Sequence, residues 1–196
     1  MQALLAVSRL IDRMNEHIGR AVYWLVLAAV LLSAGNAIVR KIFSVSSNAY
    51  LEAQWYLFSA VFLLCAGYTL LRNEHVRIDI LVGKLSARAQ AWVDIFGTVL
   101  FLLPMATLIM WLSWPYFVRA YTQNEISGSA GGLTIWPARL LLPVGFALLV
   151  LQGVSELIKR VAFVTGRGPD PIVRHDPAEA ERALAEEIRK IAEGKV

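Results

Sequence analysis

Ala53-Gln54-Trp55-Tyr56-Leu57-Phe58-Ser59-Ala60-Val61-Phe62-Leu63-Leu64-Cys65-Ala66-Gly67-Tyr68-Thr69-Leu70-Leu71 carries no charge, and it ends on Arg72-Asn73-Glu74-His75-Val76-Arg77-Ile78-Asp79. An α-helix needs about 20 apolar residues to cross a hydrocarbon core of about 30 Å. The run is therefore a membrane span, closed by a charged stop. Behind the stop, Ile78, Leu81, Val82 and Leu85 fall at i, i+3, i+4 and i+7, with Arg77, Lys84 and Arg88 on the other side. That spacing reads as a helix lying on the membrane surface, and equally as a basic cytoplasmic loop. Glu74, His75 and Asp79 also have metal-ligand chemistry, but no second His or Cys stands near them.

The composition extends this reading to the whole chain. Of 196 residues, 57% are hydrophobic and 17% charged, which places the protein among integral membrane proteins. The first eighteen residues lack a short apolar core followed by a small-residue cleavage site, so a removable signal peptide is not expected. Cys65 has no disulfide partner in the chain. Up to Thr165 there are 13 Lys and Arg against 8 Asp and Glu, and afterwards 6 against 7. The positive excess lies beside the spans, where it sets topology and meets headgroups; it does not form the basic face with interleaved aromatics that nucleic acid requires.

Taken in order, Leu4, Val7, Ile11, Met14 and Ile18 keep a helical stripe, with Arg9, Asp12, Arg13 and Glu16 turned away. Residues 1–18 are thus expected to form an amphipathic interfacial helix, or a cytoplasmic helix packed on a partner. A four-helix membrane domain over 19–160 follows, with spans at about 19–39, 52–71, 92–114 and 136–154. Asn36, Glu52 and Gln54, at or near span ends, are candidates for helix packing or subunit contact. Asp94 is expected at headgroup level beside Arg88, and Pro104 to kink the third span. Pro115 to Leu133 reads as a turn-rich surface loop. Pro137 opens the fourth span, and Arg139 is placed to snorkel outward. Beyond Gly166 comes a linker, then a tail helix capped by Asp176, Pro177 and Glu179 and striped by Ala180, Leu184, Ile188 and Ile191. Residues 161–196 form this cytoplasmic linker and tail.

Eleven Lys and Arg flank the spans on the side of the termini, against four on the other, namely Arg40, Lys41, Arg119 and Arg139. Both termini are therefore expected in the cytoplasm. His17, His75 and His175 all lie outside the spans, which argues against intramembrane haem. HExxH, CxxC and a phosphate-binding glycine loop are missing, so no active site and no cofactor is expected. The spans also lack the broken helices and mid-membrane charge of a self-sufficient transporter.

Asn36-Ala37-Ile38-Val39-Arg40 with Phe43, Glu52, Gly67 and Glu74-His75-Val76-Arg77-Ile78-Asp79 resembles the small, DctQ-type membrane subunit of tripartite ATP-independent periplasmic (TRAP) transporters. The likeness continues through Glu125, Ser127, Trp136-Pro137 and Leu142-Pro143-Val144-Gly145-Phe146, over about residues 19–160. Ala89-Gln90-Ala91-Trp92-Val93-Asp94 and Trp111-Leu112-Ser113-Trp114-Pro115 further resemble a subgroup associated with 2-oxo acid or mannitol/chloroaromatic uptake. The resemblance implies a bacterial inner-membrane complex for uptake of an organic acid. In it a large subunit carries the elevator and sodium sites, a periplasmic binding protein delivers substrate, and this chain is an accessory scaffold. The outer loops would then offer Arg40, Lys41, Tyr50, Arg119, Tyr121 and Glu125 as a docking surface, while Glu74, His75, Arg77 and Asp79 form an interfacial motif on the cytoplasmic side. A membrane-anchor subunit of a respiratory enzyme is the alternative from another class.

Overall fold

The computed structural model describes residues 2–44, 47–73 and 85–169, and all of its long elements are helices. α1 runs from Gln2 to Phe43 and α2 from Asn48 to Leu71; α3, Ala87 to Gly97, passes through a π-turn at Thr98–Leu102 into α4, Leu103 to Thr122. α5, Trp136 to Val164, completes the described chain. Four stretches are long and apolar enough to cross a membrane: α1, α2, the continuous α3–π–α4 rod, and α5. The chain is an all-α integral membrane protein. The interfacial motif at residues 74–79, and the linker and tail from residue 170 onward, lie outside the described residues.

α5 is the hub. It packs against α2 on one side and the α3–α4 rod on the other, while α1 lies mainly on α2 and also touches α5. Such packing in lipid depends on small residues that let backbones approach, because lipid gives helices no hydrophobic drive to associate. Two glycines illustrate this. A β-carbon at Gly145 would lie 2.8 Å from the Leu63 carbonyl oxygen, and one at Gly67 would lie 2.5 Å from Asn15 Oδ1.

Several boundaries move outward from those expected. Residues 2–18 are not a separate interfacial helix: they continue without a break into the first span, giving α1 42 residues and a length of about 63 Å at 1.5 Å per residue. The reason is a polar seam. Ser8 and Asn15 are fully buried, and Asp12, expected to face away, turns toward α5. There Ser155 Oγ donates to Asp12 Oδ1 at 2.7 Å, Lys159 Nζ lies 3.2 Å from Asp12 Oδ2, and Asn15 Nδ2 donates to Gln152 Oε1 at 2.9 Å.

The third span extends through Thr122, with Pro115 inside the helix and not at the head of a loop. Near Pro104, which lacks an N–H for its own turn, the Leu103 N–H reaches back five residues to the Thr98 carbonyl. That widened turn is a π-type turn set directly before the proline. Asp94 does not stand beside Arg88 at the surface but pairs with Arg160 of α5, whose side chain is only 4% exposed. α5 itself runs ten residues past Val154, because Glu156, Lys159 and Arg160 find partners within the bundle and have no need of water.

Candidate assembly and docking site

The polar chemistry gathers at the two ends of the bundle. At the end that carries Gln2 and Val164, the α1–α5 seam is joined by Glu156, which accepts from Lys159 and, at 3.2 Å, from Gln152 Nε2. Glu16 binds Arg20 at 2.8 Å and Arg72 at 2.9 Å, tying α1 to the end of α2. The Arg20 hydrogen bond and charge hold this carboxyl, just ahead of the first span, below its ordinary value. Asn15 Oδ1 is buried without a hydrogen-bond partner among the described residues. It occupies the space that the missing β-carbon of Gly67 leaves open.

At the opposite end the connection 123–135 is built as a small rigid loop. Ile126 and Thr134 form an isolated antiparallel bridge, with Ser127 N donating to Leu133 O and Ile135 N to Glu125 O, both at 2.9 Å. The first turns of α2 clamp it. Asn48, Glu52 and Tyr56 stand at i, i+4 and i+8 and so share one helix face. Asn48 Nδ2 donates to Ala130 O at 3.0 Å and Tyr56 Oη to Thr134 O at 3.2 Å. Between them, Glu52 accepts from Ser127 Oγ through one oxygen and from Leu133 N at 2.7 Å through the other.

A second brace stands beside the clamp. Arg139 does not snorkel freely: its guanidinium makes a two-pronged contact with Glu125, one prong at 2.9 Å, and lies 3.9 Å from the centre of the Tyr116 ring. Tyr121 meets Trp136 edge-on at 5.6 Å and Phe117 at 6.0 Å, which fixes the end of α4 against the start of α5.

The residues singled out from sequence divide accordingly. Glu52 is committed to the loop, while Asn36 and Gln54 are half-buried and make no side-chain hydrogen bond among the described residues. Of the six residues expected on the docking surface, Arg40, Lys41, Tyr50, Arg119 and Tyr121 are exposed, and Glu125 is taken up by Arg139. Sequence reasoning missed Asn48, Tyr56, Arg139 and the Asp12–Lys159 seam as structural ties. The i, i+4, i+8 polar face at the head of α2 was a legible signal for the first two. Among the described residues no group of three or more His, Cys, Asp or Glu is placed to hold a metal.

The family model for "Tripartite ATP-independent periplasmic transporters, DctQ component" matches residues 29–163, which takes in the last third or so of α1, all of α2 to α4, and α5 but for its last residue. The chain belongs to the DctQ family. Neither a curated protein nor a solved structure gives a match. As a DctQ component the chain is a small membrane subunit of a TRAP transporter, a transporter part and not a member of an enzyme family. Such components work in a three-part complex with a large membrane subunit and a periplasmic binding protein. The match gives the respiratory-anchor alternative no support. It covers the clamp and the Asp94–Arg160 pair, but it begins after Ser8, Asp12 and Asn15, so the α1 half of the polar seam is outside it.

Proposed function

We propose that this DctQ component transports nothing alone and serves as a scaffold for the large transport subunit, with its loop end helping to seat the periplasmic binding protein. One observation carries the reading. Every Asp, Glu, Lys and Arg of the described helices sits near a bundle end, several locked in pairs, and the middles of α1, α2 and the α3–α4 rod are apolar and turned outward, with Leu31, Phe62, Phe101 and Trp111 more than 60% exposed. A translocation path needs ionisable or carbonyl groups at mid-depth; a wide apolar face at that depth suits contact with lipid and with another membrane protein. Asn36 and Gln54, polar and without side-chain hydrogen bonds among the described residues, fit contacts to the large subunit, where a hydrogen bond in lipid contributes about 0.6–2 kcal/mol.

On this reading the complex lies in a bacterial inner membrane, both termini are cytoplasmic, and the cargo is an organic acid taken up by ion symport. Vesicles reconstituted with this chain alone, with the large subunit alone, and with both provide the test, with binding protein and a radiolabelled carboxylate outside. Uptake is expected only with both subunits. Uptake by this chain alone overturns the scaffold role.

A further inference from the structure

The two loops and span ends at the clamped end contain six charged residues in all: Arg40, Lys41, Glu52, Arg119, Glu125 and Arg139. The clamp and brace take up three of them, because Glu52 is held by Ser127 and the Leu133 amide, and Glu125 and Arg139 hold each other. Both acids are thereby spent inside the chain. What remains exposed is Arg40, Lys41 and Arg119, three cations with no ion pair among the described residues; Arg119 makes a 3.5 Å contact to Gln123 Oε1.

These cations stand at the same end of the bundle. Arg40 and Lys41 lie in the last turn of α1, and only four residues, 44–47, separate Phe43 from Asn48, which holds the loop at Ala130. Arg119 lies in the last turn of α4, which leads straight into the same loop. On that loop Ile126 is 62% exposed although its backbone is pinned by the bridge to Thr134, and Tyr50 and Tyr121 stand exposed nearby at 50% and 59%. A pinned, exposed apolar side chain, at an end of the bundle that also exposes aromatics and cations, has the ingredients of an interface core with a charged rim.

We infer that the clamped loop presents Ile126 as an apolar anchor inside a cationic rim of Arg40, Lys41 and Arg119, and that the periplasmic binding protein meets it with an acid-bordered apolar face. This rests on the docking role proposed above and gives it a sign: the surface is cationic, since the acids belong to the fold. Rim charges act mainly on association rate and its salt dependence, and a buried anchor mainly on dissociation.

The experiment measures binding-protein association with the two-subunit membrane complex in lipid nanodiscs, over a range of salt. For the unaltered complex the association rate is expected to fall as salt rises. Combined Lys41→Glu and Arg119→Glu should slow association about tenfold at low salt and flatten that dependence. Ile126→Ser should speed dissociation with association little changed. Co-purification of the large subunit with each variant verifies assembly, and the salt series needs no variant at all. Unchanged rates in both variants, or association that rises with salt, overturn the cationic rim while leaving docking in place. No binding of the unaltered complex at any salt overturns docking itself.

Discussion

Glu52 shows how much a single carboxylate at a span end can organise. Its two oxygens serve a side-chain hydroxyl and a backbone amide of a loop 75 to 81 residues away in sequence. Glu52→Ala removes both acceptors and leaves the Leu133 N–H to find water; hydrogen bonds to charged groups contribute about 1.5–3 kcal/mol each. The expected result is a lower unfolding temperature together with faster maleimide reaction of a cysteine placed at Ser129 in a Cys65→Ala background. The Asp94–Arg160 pair is a stricter case, because Arg160 is buried and the pair joins two helices. Asp94→Leu is expected to destabilise the protein by about 3–5 kcal/mol, and adding Arg160→Met to recover most of that loss. A double-mutant cycle on unfolding of the purified protein measures it; a double variant as unstable as the single one would contradict the pairing.

At the scale of elements, α1 and α5 are held by polar groups, and this explains why α1 is one helix. A surface stripe of Leu4, Val7 and Leu10 remains exposed, as an interfacial helix would show, yet the opposite face is locked by Ser8, Asp12 and Asn15 to Ser155, Lys159 and Gln152. The close approach at Gly67 is where the seam meets α2. Gly67→Ala is expected to cost about 1–3 kcal/mol through overpacking against Asn15, and a further Asn15→Ala to return part of it by clearing the clash. Thermal unfolding of both variants in the same detergent reads the difference. Equal stability of the Gly67→Ala variant and the parent would show that the helices separate there at no cost.

For the whole molecule, the charge asymmetry is what the proposed orientation rests on. A cysteine at Ser129 is expected to react with an impermeant maleimide in intact spheroplasts, and a cysteine at Ser86 only after lysis; the reverse pattern would invert the topology and remove the loop from the binding protein's side. Within the complex, Asn36→Ala and Gln54→Ala should lower the yield of co-purified large subunit more than they alter the sodium dependence of uptake. A normal yield with a shifted sodium dependence would place these residues on an ion path instead.

The sequence by itself determined that the chain crosses a membrane four times as helices and belongs with DctQ-type subunits. The length of an uncharged run set against bilayer thickness is a local property, and the family motifs are local as well. It also made Glu52 and Glu125 conspicuous as acids beside apolar spans. Only the tertiary structure decided what those acids do. Asp12 finds Lys159 across 147 positions and Asp94 finds Arg160 across 66, and no helical periodicity reports a partner on another helix. An isolated charge next to a span reads as headgroup contact because water and lipid heads are its default partners. Once packing brings an opposite charge within hydrogen-bonding distance, the same residue becomes a tie between helices, and the helix ends move outward to include it.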